Sequence, residues 1–255
     1  AGEQNELSLW RYPTRRYHGM CISARKPPVD RRLLFAGLQA SLIFDSITIP
    51  LDPPADDPHG GCAFEFEKDP FPTTQYRYVA PNCRIFRIIR TVFMRYGQNS
   101  TVIRYQIPAK SHPIRLAVRI LPAMRDHHAI LSPSTPTSTD RIKGHWIRFS
   151  RDGEDAFLFH SAGDFVPDPK IVGPFHYIWE NRQGMEDVEC FFSPGQIVAD
   201  VTHQRGMDLI LSERLIRAPR IRQWQKEEEF RRRRTAGRVS QRAQAGVSPP
   251  RVVLF

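Results

Sequence analysis

The sequence predicts an all-β protein, a large antiparallel β-sandwich followed by one C-terminal helix and a disordered tail. Three observations predict it. Short runs with period-two alternation recur from about residue 16 to residue 211; Pro, Gly, Asp and Asn punctuate them; and the pattern changes character from Glu213 onward. The boundaries that follow are a sandwich over 1–212, a helix over 213–234 and a disordered tail over 235–255.

The strand-like runs, in order, are 16–24, 32–35, 40–49, 74–79, 84–96, 100–107, 114–121, 141–150, 156–160, 196–202 and 207–211. The clearest is TVFMRYGQNSTVIRY at 91–105, where Val92 and Met94 fall on one face and Phe93 and Arg95 on the other. Gly97, Gln98 and Asn99 supply turn chemistry before TVIRY resumes the alternation, so the segment reads as a hairpin. Pro27-Pro28, Pro53-Pro54 and the stretch 133–139 read as loops. In 213–234, Glu227 and Glu228 lie one helical turn from Arg231 and Arg232, and Pro219 limits the helix near its start. After Arg234 the chain is polar and unpatterned.

Composition excludes several classes. A content of 40% hydrophobic and 25% charged residues is that of an ordinary soluble domain, and no run approaches the ~18 apolar residues of a membrane helix. The four cysteines, Cys21, Cys62, Cys83 and Cys190, lie far apart with no C-x-x-C pair, which argues against a zinc site or a disulfide framework and for reduced thiols in a cytoplasmic protein. The net charge of +10 invites a nucleic-acid reading. Yet from Glu213 onward twelve Lys/Arg stand against four Glu, which leaves the first 212 residues only two of those ten charges. A nucleic-acid domain carries its charge on the folded body, so a nucleic-acid partner is not expected.

Six segments together resemble the N-terminal domain of bacterial and archaeal glycogen debranching enzymes, the amylo-α-1,6-glucosidase family. They are TRRYHG at 14–19, KDPFPTTQYR at 68–77, the hairpin at 91–105, LAVRILPAMRDHH at 116–128, the F-x-Y-x-x-E-x-x-x-G pattern at 175–184 and FFSPG at 191–195. The resemblance covers about residues 14–212 and implies a supersandwich-like fold, with 213–234 as the linker helix. Family members carry a glycine-rich strand where AGEQNELSLWRYP stands here. They also continue into a helical (α/α)6 toroid marked by a W-G-R-D motif, which this sequence lacks. The resemblance therefore implies an accessory domain apart from its catalytic partner.

Arg125-Asp126-His127-His128 forms the densest polar cluster, at an expected strand end. Asp126 could accept from sugar hydroxyls while Arg125 donates, or the four could be a structural turn capped by Asp126. On an extended strand Arg16 and His18 would share a face opposite Tyr17, lining a glycan groove, a domain seam or plain solvent. Phe71, between Pro70 and Pro72, is either a sugar platform or a loop anchor. Phe175, Tyr177 and Trp179 would share one face of a strand, as core or as a stacking strip. Glycoside hydrolysis needs two carboxylates roughly 5–10 Å apart. Asp126, Glu180, Asp187 and Glu189 are available, but no facing pair is expected.

Within the resemblance, Arg16, His18, Arg125, Asp126, His127, Trp179 and Glu180 are the substrate-binding candidates, with no catalytic residue, metal or cofactor. The partners implied are an α-glucan and the catalytic toroid. The function expected is a non-catalytic, glucan-contacting module; the alternative is a 4-α-glucanotransferase.

Overall fold

A computed structural model of the protein describes residues 15–244 apart from 27–28, 45–46, 53–61, 110 and 132–136, and describes side chains up to residue 236. Its fourteen described strands are β1 (Cys21–Lys26), β2 (Asp30–Phe44), β3 (Ile47–Pro50), β4 (Ala63–Glu67), β5 (Thr73–Val79), β6 (Ile85–Met94), β7 (Ser100–Gln106), β8 (Ile114–Asp126), β9 (Ser138–Ile142), β10 (Trp146–Arg151), β11 (Glu154–His160), β12 (Asp164–His176), β13 (Val188–Val201) and β14 (Met207–Ser212). The helices are α1 (Ile178–Arg182) and α2 (Ile221–Gln244).

The strands form two sheets. One runs β1-β2-β8-β13-β12, with β3 also on β2, and the other runs β4-β5-β6-β7-β14-β11-β10-β9. Their recorded pairings are antiparallel. Alternation builds the core between them: Leu38, Ala40 and Leu42 of β2 meet Leu116, Val118 and Ile120 of β8 and Ile197, Ala199 and Val201 of β13. The eight-stranded sheet contributes Ile88, Val92, Ile103, Leu158 and Leu209 to the same cluster.

The 91–105 hairpin forms as predicted, with Val92↔Ile103 and Phe93↔Val102 in register and Gly97 at φ 71° in its turn. Both its faces are covered. Val92 enters the inter-sheet core, while Phe93 joins a second cluster on the outer side with Phe71, Val102, Ile210, Ile221 and Trp224. The last two belong to α2, which therefore lies against the outer face of the eight-stranded sheet. Arg104 donates to Gln225, and Arg232 donates to the Pro70 carbonyl at 2.8 Å with its guanidinium 4.8 Å from the Phe71 ring.

Several expectations are corrected. The run 16–24 is not one strand: Arg16 and Tyr17 sit in a turn closed by His18 N–H to the Arg15 carbonyl, so Arg16 and His18 do not share a strand face. The runs 32–35 and 40–49 are mostly one strand, β2, because Gly37 is absorbed at a register shift against β8. The run 141–150 is two strands joined at Gly144 and His145, both with positive φ. Ser138–Ile142, placed partly in a loop, is β9. β12 was not expected, since Pro167, Pro169 and Pro174 interrupt it. It is an edge strand, and its ladder with β13 shifts register between Pro167 and Lys170 and between Val172 and Phe175, the intervals that hold Pro169 and Pro174. The linker helix begins at Ile221, beyond Pro219, and runs ten residues past its expected end, into the expected tail. Pro27-Pro28, Pro53-Pro54 and the tail beyond Gln244 lie outside the described residues.

Near its start β13 parts from β8. Their ladder runs from Val201↔Ile114 to Gln196↔Arg119 and stops. Leu33, Ala36, Leu121, Ala123, Phe175, Tyr177 and Phe191 pack together beyond that point. The candidate site lies at this end of the sheet.

Candidate functional site

Arg125 is the penultimate residue of β8 and reaches toward Glu189 at the start of β13. Its Nε and Nη2 donate to the two Glu189 carboxylate oxygens at 2.8 and 3.0 Å. Nη1 donates to the Asp126 and His127 carbonyls at 3.0 and 3.3 Å, and Nη2 to the Arg16 carbonyl at 2.6 Å. Those five bonds match the five N–H donors of a guanidinium, so none is left for a ligand. Glu189 also accepts from the Leu131 N–H at 2.9 Å and from the Tyr177 hydroxyl. Both side chains are buried, and the fork geometry makes this a strong charge-assisted pair. Beside that carboxylate and out of water, the Tyr177 hydroxyl has its pKa pushed well up, first by burial and then by the Glu189 charge.

Arg125 thereby ties three segments together, the 15–18 turn, the 126–131 turn and β13. Gly19 shows how tightly the first is seated: a Cβ there would lie 2.0 Å from Leu33 Cδ1 and 3.0 Å from the Phe35 carbonyl oxygen. Arg16 returns the contact through Nη1 to the His128 carbonyl at 3.2 Å. Asp126 Oδ1 accepts from the His128 N–H at 2.9 Å, the backbone cap that the turn reading expected.

The F-x-Y-x-x-E segment completes the cluster. Phe175 lies one residue before the end of β12 and Tyr177 precedes α1, both buried, so the single strand face expected for Phe175, Tyr177 and Trp179 is corrected: the helix turns Trp179 outward, 42% exposed. The Arg182 guanidinium stands 5.0 Å from its ring. Glu180 is wholly buried, with Oε1 accepting from Arg15 Nε at 3.2 Å and 3.9 Å from Arg16 Nε. Its Oε2 has no hydrogen-bond partner, nor have Arg16 Nε and Nη2.

Six of the seven predicted residues, Arg16, His18, Arg125, Asp126, His127 and Glu180, thus meet through the Arg15–His18 turn, and Trp179 follows from the same short helix. They divide into two groups. Arg125 and Glu180 are interior. Asp126 and Trp179 face solvent and His127 does so in part, together with exposed His128 and half-buried Tyr17, which the sequence reading named in its two clusters but did not count among the substrate-binding candidates. The Tyr17 ring lies 4.9 Å from His127 and 5.5 Å from His128, with Arg15 and Arg16 guanidinium groups 5.4 and 5.6 Å from it. Burial, with Arg15 nearby, lowers the His18 pKa against the opposing pull of Glu180. Burial, with His128 and Arg31 nearby, lowers that of His127. Both rings are neutral at pH 7 and can accept as well as donate.

Neither Glu180 nor Glu189 presents a carboxylate to solvent, and Phe71 is buried under Arg232. Among the described residues no group of three His, Cys, Asp or Glu could hold a metal ion, and no helix is long and apolar enough to cross a membrane. Sequence reasoning missed Glu189 as the partner of Arg125, because 64 residues separate them.

The profile described as glycogen debranching enzyme N terminal matches residues 6–207. No curated protein matches the chain. Among solved structures, one that is similar is a bacterial glucoamylase complexed with acarbose, at TM-score 0.46 and 10% identity. The match covers 75% of this chain and 28% of that one, so the chain spans under a third of its length, and the likeness is too remote to bear on function.

Proposed function

The chain belongs to the glycogen debranching enzyme N-terminal family, and on that premise we propose that it is the non-catalytic, glucan-contacting module of a debranching-type glycosidase, bracing a catalytic domain. One observation carries this reading: the exposed rings of His128 and Trp179, the half-buried rings of Tyr17 and His127 and the exposed carboxylate of Asp126 belong to one end of the six-stranded sheet, on a framework fixed by Arg125, Arg16 and Glu180. Rings stack on the apolar faces of glucose, and Asp126 and neutral His127 accept from its hydroxyls. Arg125, Arg16, His18 and Glu180 act here as positioning residues. The commitment of Glu180 and Glu189 to guanidinium groups favours the non-catalytic reading over a glucanotransferase. The free cysteines suit a cytoplasmic setting.

The test is affinity electrophoresis in glycogen-containing gels, with a thermal melt on the same preparation. Trp179→Ala combined with His127→Ala removes two ring contacts of about 0.5–1.5 kcal/mol each and weakens retention about tenfold, with little change in Tm. Full retention by that variant rejects the reading. Incubation with maltooligosaccharides releases no glucose and no rearranged chains; product that disappears on changing Asp126 or Glu180 would restore the transferase.

A further inference from the structure

At the other end of the six-stranded sheet, the outer face carries a feature that the ring cluster does not explain. Since Leu38, Ala40 and Leu42, and Leu116, Val118 and Ile120, point into the core, the residues between them point outward. The register arranges these in rows across the strands. The middle row is small: Ser41↔Ala117↔Val198, ending at Asp164. On one side runs Ile43↔Arg115↔Asp200, and on the other Gln39↔Arg119↔Gln196. The flanking rows carry long side chains, polar except for Ile43, beside a floor of small ones. Two clefts follow this line. One, of about 410 Å³, includes Arg115, His145, Asp164, Asp200 and Arg205. The other, of about 310 Å³, includes Gln39, Ser41, Ala117, Arg119 and Gln196. Each reaches the size of a small-ligand site, and four strands at ~4.8 Å spacing give the trough a length of about 14 Å.

Its chemistry is selective. Arg115, Asp164, Asp200 and Arg205 are exposed, and none forms an ion pair with another described residue, although Arg115 and Asp200 are direct cross-strand partners. Arg119 is held by Ser193 Oγ at 3.1 Å and by Asp168. Charges of both signs balance nearly along the trough, so it has no field to select an anion. A protein partner would seek an aromatic anchor, and the described residues lining the two clefts include no Phe, Tyr or Trp: their apolar groups include Ala117 and Val198 on the floor and the aliphatic Val166 and Ile43 beside it. Donors and acceptors alternating over a narrow, small-residue floor suit a neutral polyhydroxylated chain, bound edge-on through its hydroxyls.

We propose that this trough is a second carbohydrate-binding surface, taking an α-glucan chain across β2, β8, β13 and β12. The identity of the sugar rests on the family reading above; the position does not. Arg115 and Arg205 donate to hydroxyls, Asp164 and Asp200 accept from them, and Ser41 and Ala117 leave the space the chain occupies.

The test uses the full chain in glycogen gels, with maltoheptaose as soluble competitor. Two variants address the trough: Arg115→Ala with Asp200→Ala, which removes hydrogen-bonding groups, and Ser41→Trp, which fills the floor. Each is expected to lower retention about fivefold with Tm unchanged, the loss of one or two hydrogen bonds. The Trp179→Ala, His127→Ala variant is expected to lower it separately. Full retention by both trough variants overturns the proposal and leaves the ring cluster standing; it is also the outcome if the trough meets protein instead. Loss in the trough variants alone keeps the proposal and rejects the ring cluster. An unsubstituted chain that glycogen does not retard overturns both.

Discussion

Arg125 was legible in the sequence as a functional candidate and is better understood as a fastener. Its cluster lies in an RDHH string whose composition invites a binding reading, and the turn capped by Asp126 was foreseeable from Asp chemistry alone. What sequence could not supply was Glu189, which meets Arg125 only because β13 and β8 run side by side and then part. Removing one member of a buried pair strands the other's charge, so Arg125→Ala is expected to lose about 3–5 kcal/mol of stability in urea denaturation. Adding Glu189→Gln should restore part of that loss, since no uncompensated charge then remains. Arg125→Lys should not rescue, because an ammonium cannot satisfy five directional contacts. Asp126→Asn, at an exposed position, should stay within about 0.5 kcal/mol of the parent.

Among the elements, the hairpin of β6 and β7 was readable because its alternation and its turn residues agree. β12 was not, because three prolines in thirteen residues speak against any strand until its edge position is known. The helix α2 was read from charge spacing, yet its anchoring was invisible: Phe71, weighed as a sugar platform, lies under it beside Phe93 at a ring separation of 5.2 Å. Ile221 and Trp224 form the apolar part of the helix's buried face, and Glu228 continues it with Arg231 and Arg232. Trp224→Ala should therefore loosen the helix as a unit at a loss of about 3 kcal/mol. Trypsin should then cut the 231–234 arginines sooner in the variant than in the parent, while the sandwich survives as the limit product.

For the whole molecule, fold class was legible because strand periodicity and its punctuation point the same way over two hundred residues. The meeting of three distant segments at one sheet end was not, since it follows from strand order. Acid response is a property of this scale. The pKa values of His18, His127 and His160 are all lowered, with burial the leading cause. An unfolded chain binds protons at these sites near pH 6.5, before the folded one does, so their contribution is full above about pH 6.5 and is lost as pH falls through the lower folded values. Glu154, held down by its Arg25 hydrogen bond, and Asp168, held down by Arg119, add a further loss below about pH 4.5. A series of thermal melts should show Tm level from pH 8 to 7 and falling from about pH 6.5; a flat profile down to pH 5 would contradict this assignment.

The prolines of β12 have one more effect. A sheet border with a full row of N–H groups is adhesive, and neighbouring molecules can zip onto it and grow into fibres. Pro167, Pro169 and Pro174, with the two register shifts they accompany, interrupt the regular repeat of that border, and exposed Lys170 adds a charge that an incoming strand would have to desolvate. The feature that hid this strand from sequence reading is thus a guard against self-association at high concentration.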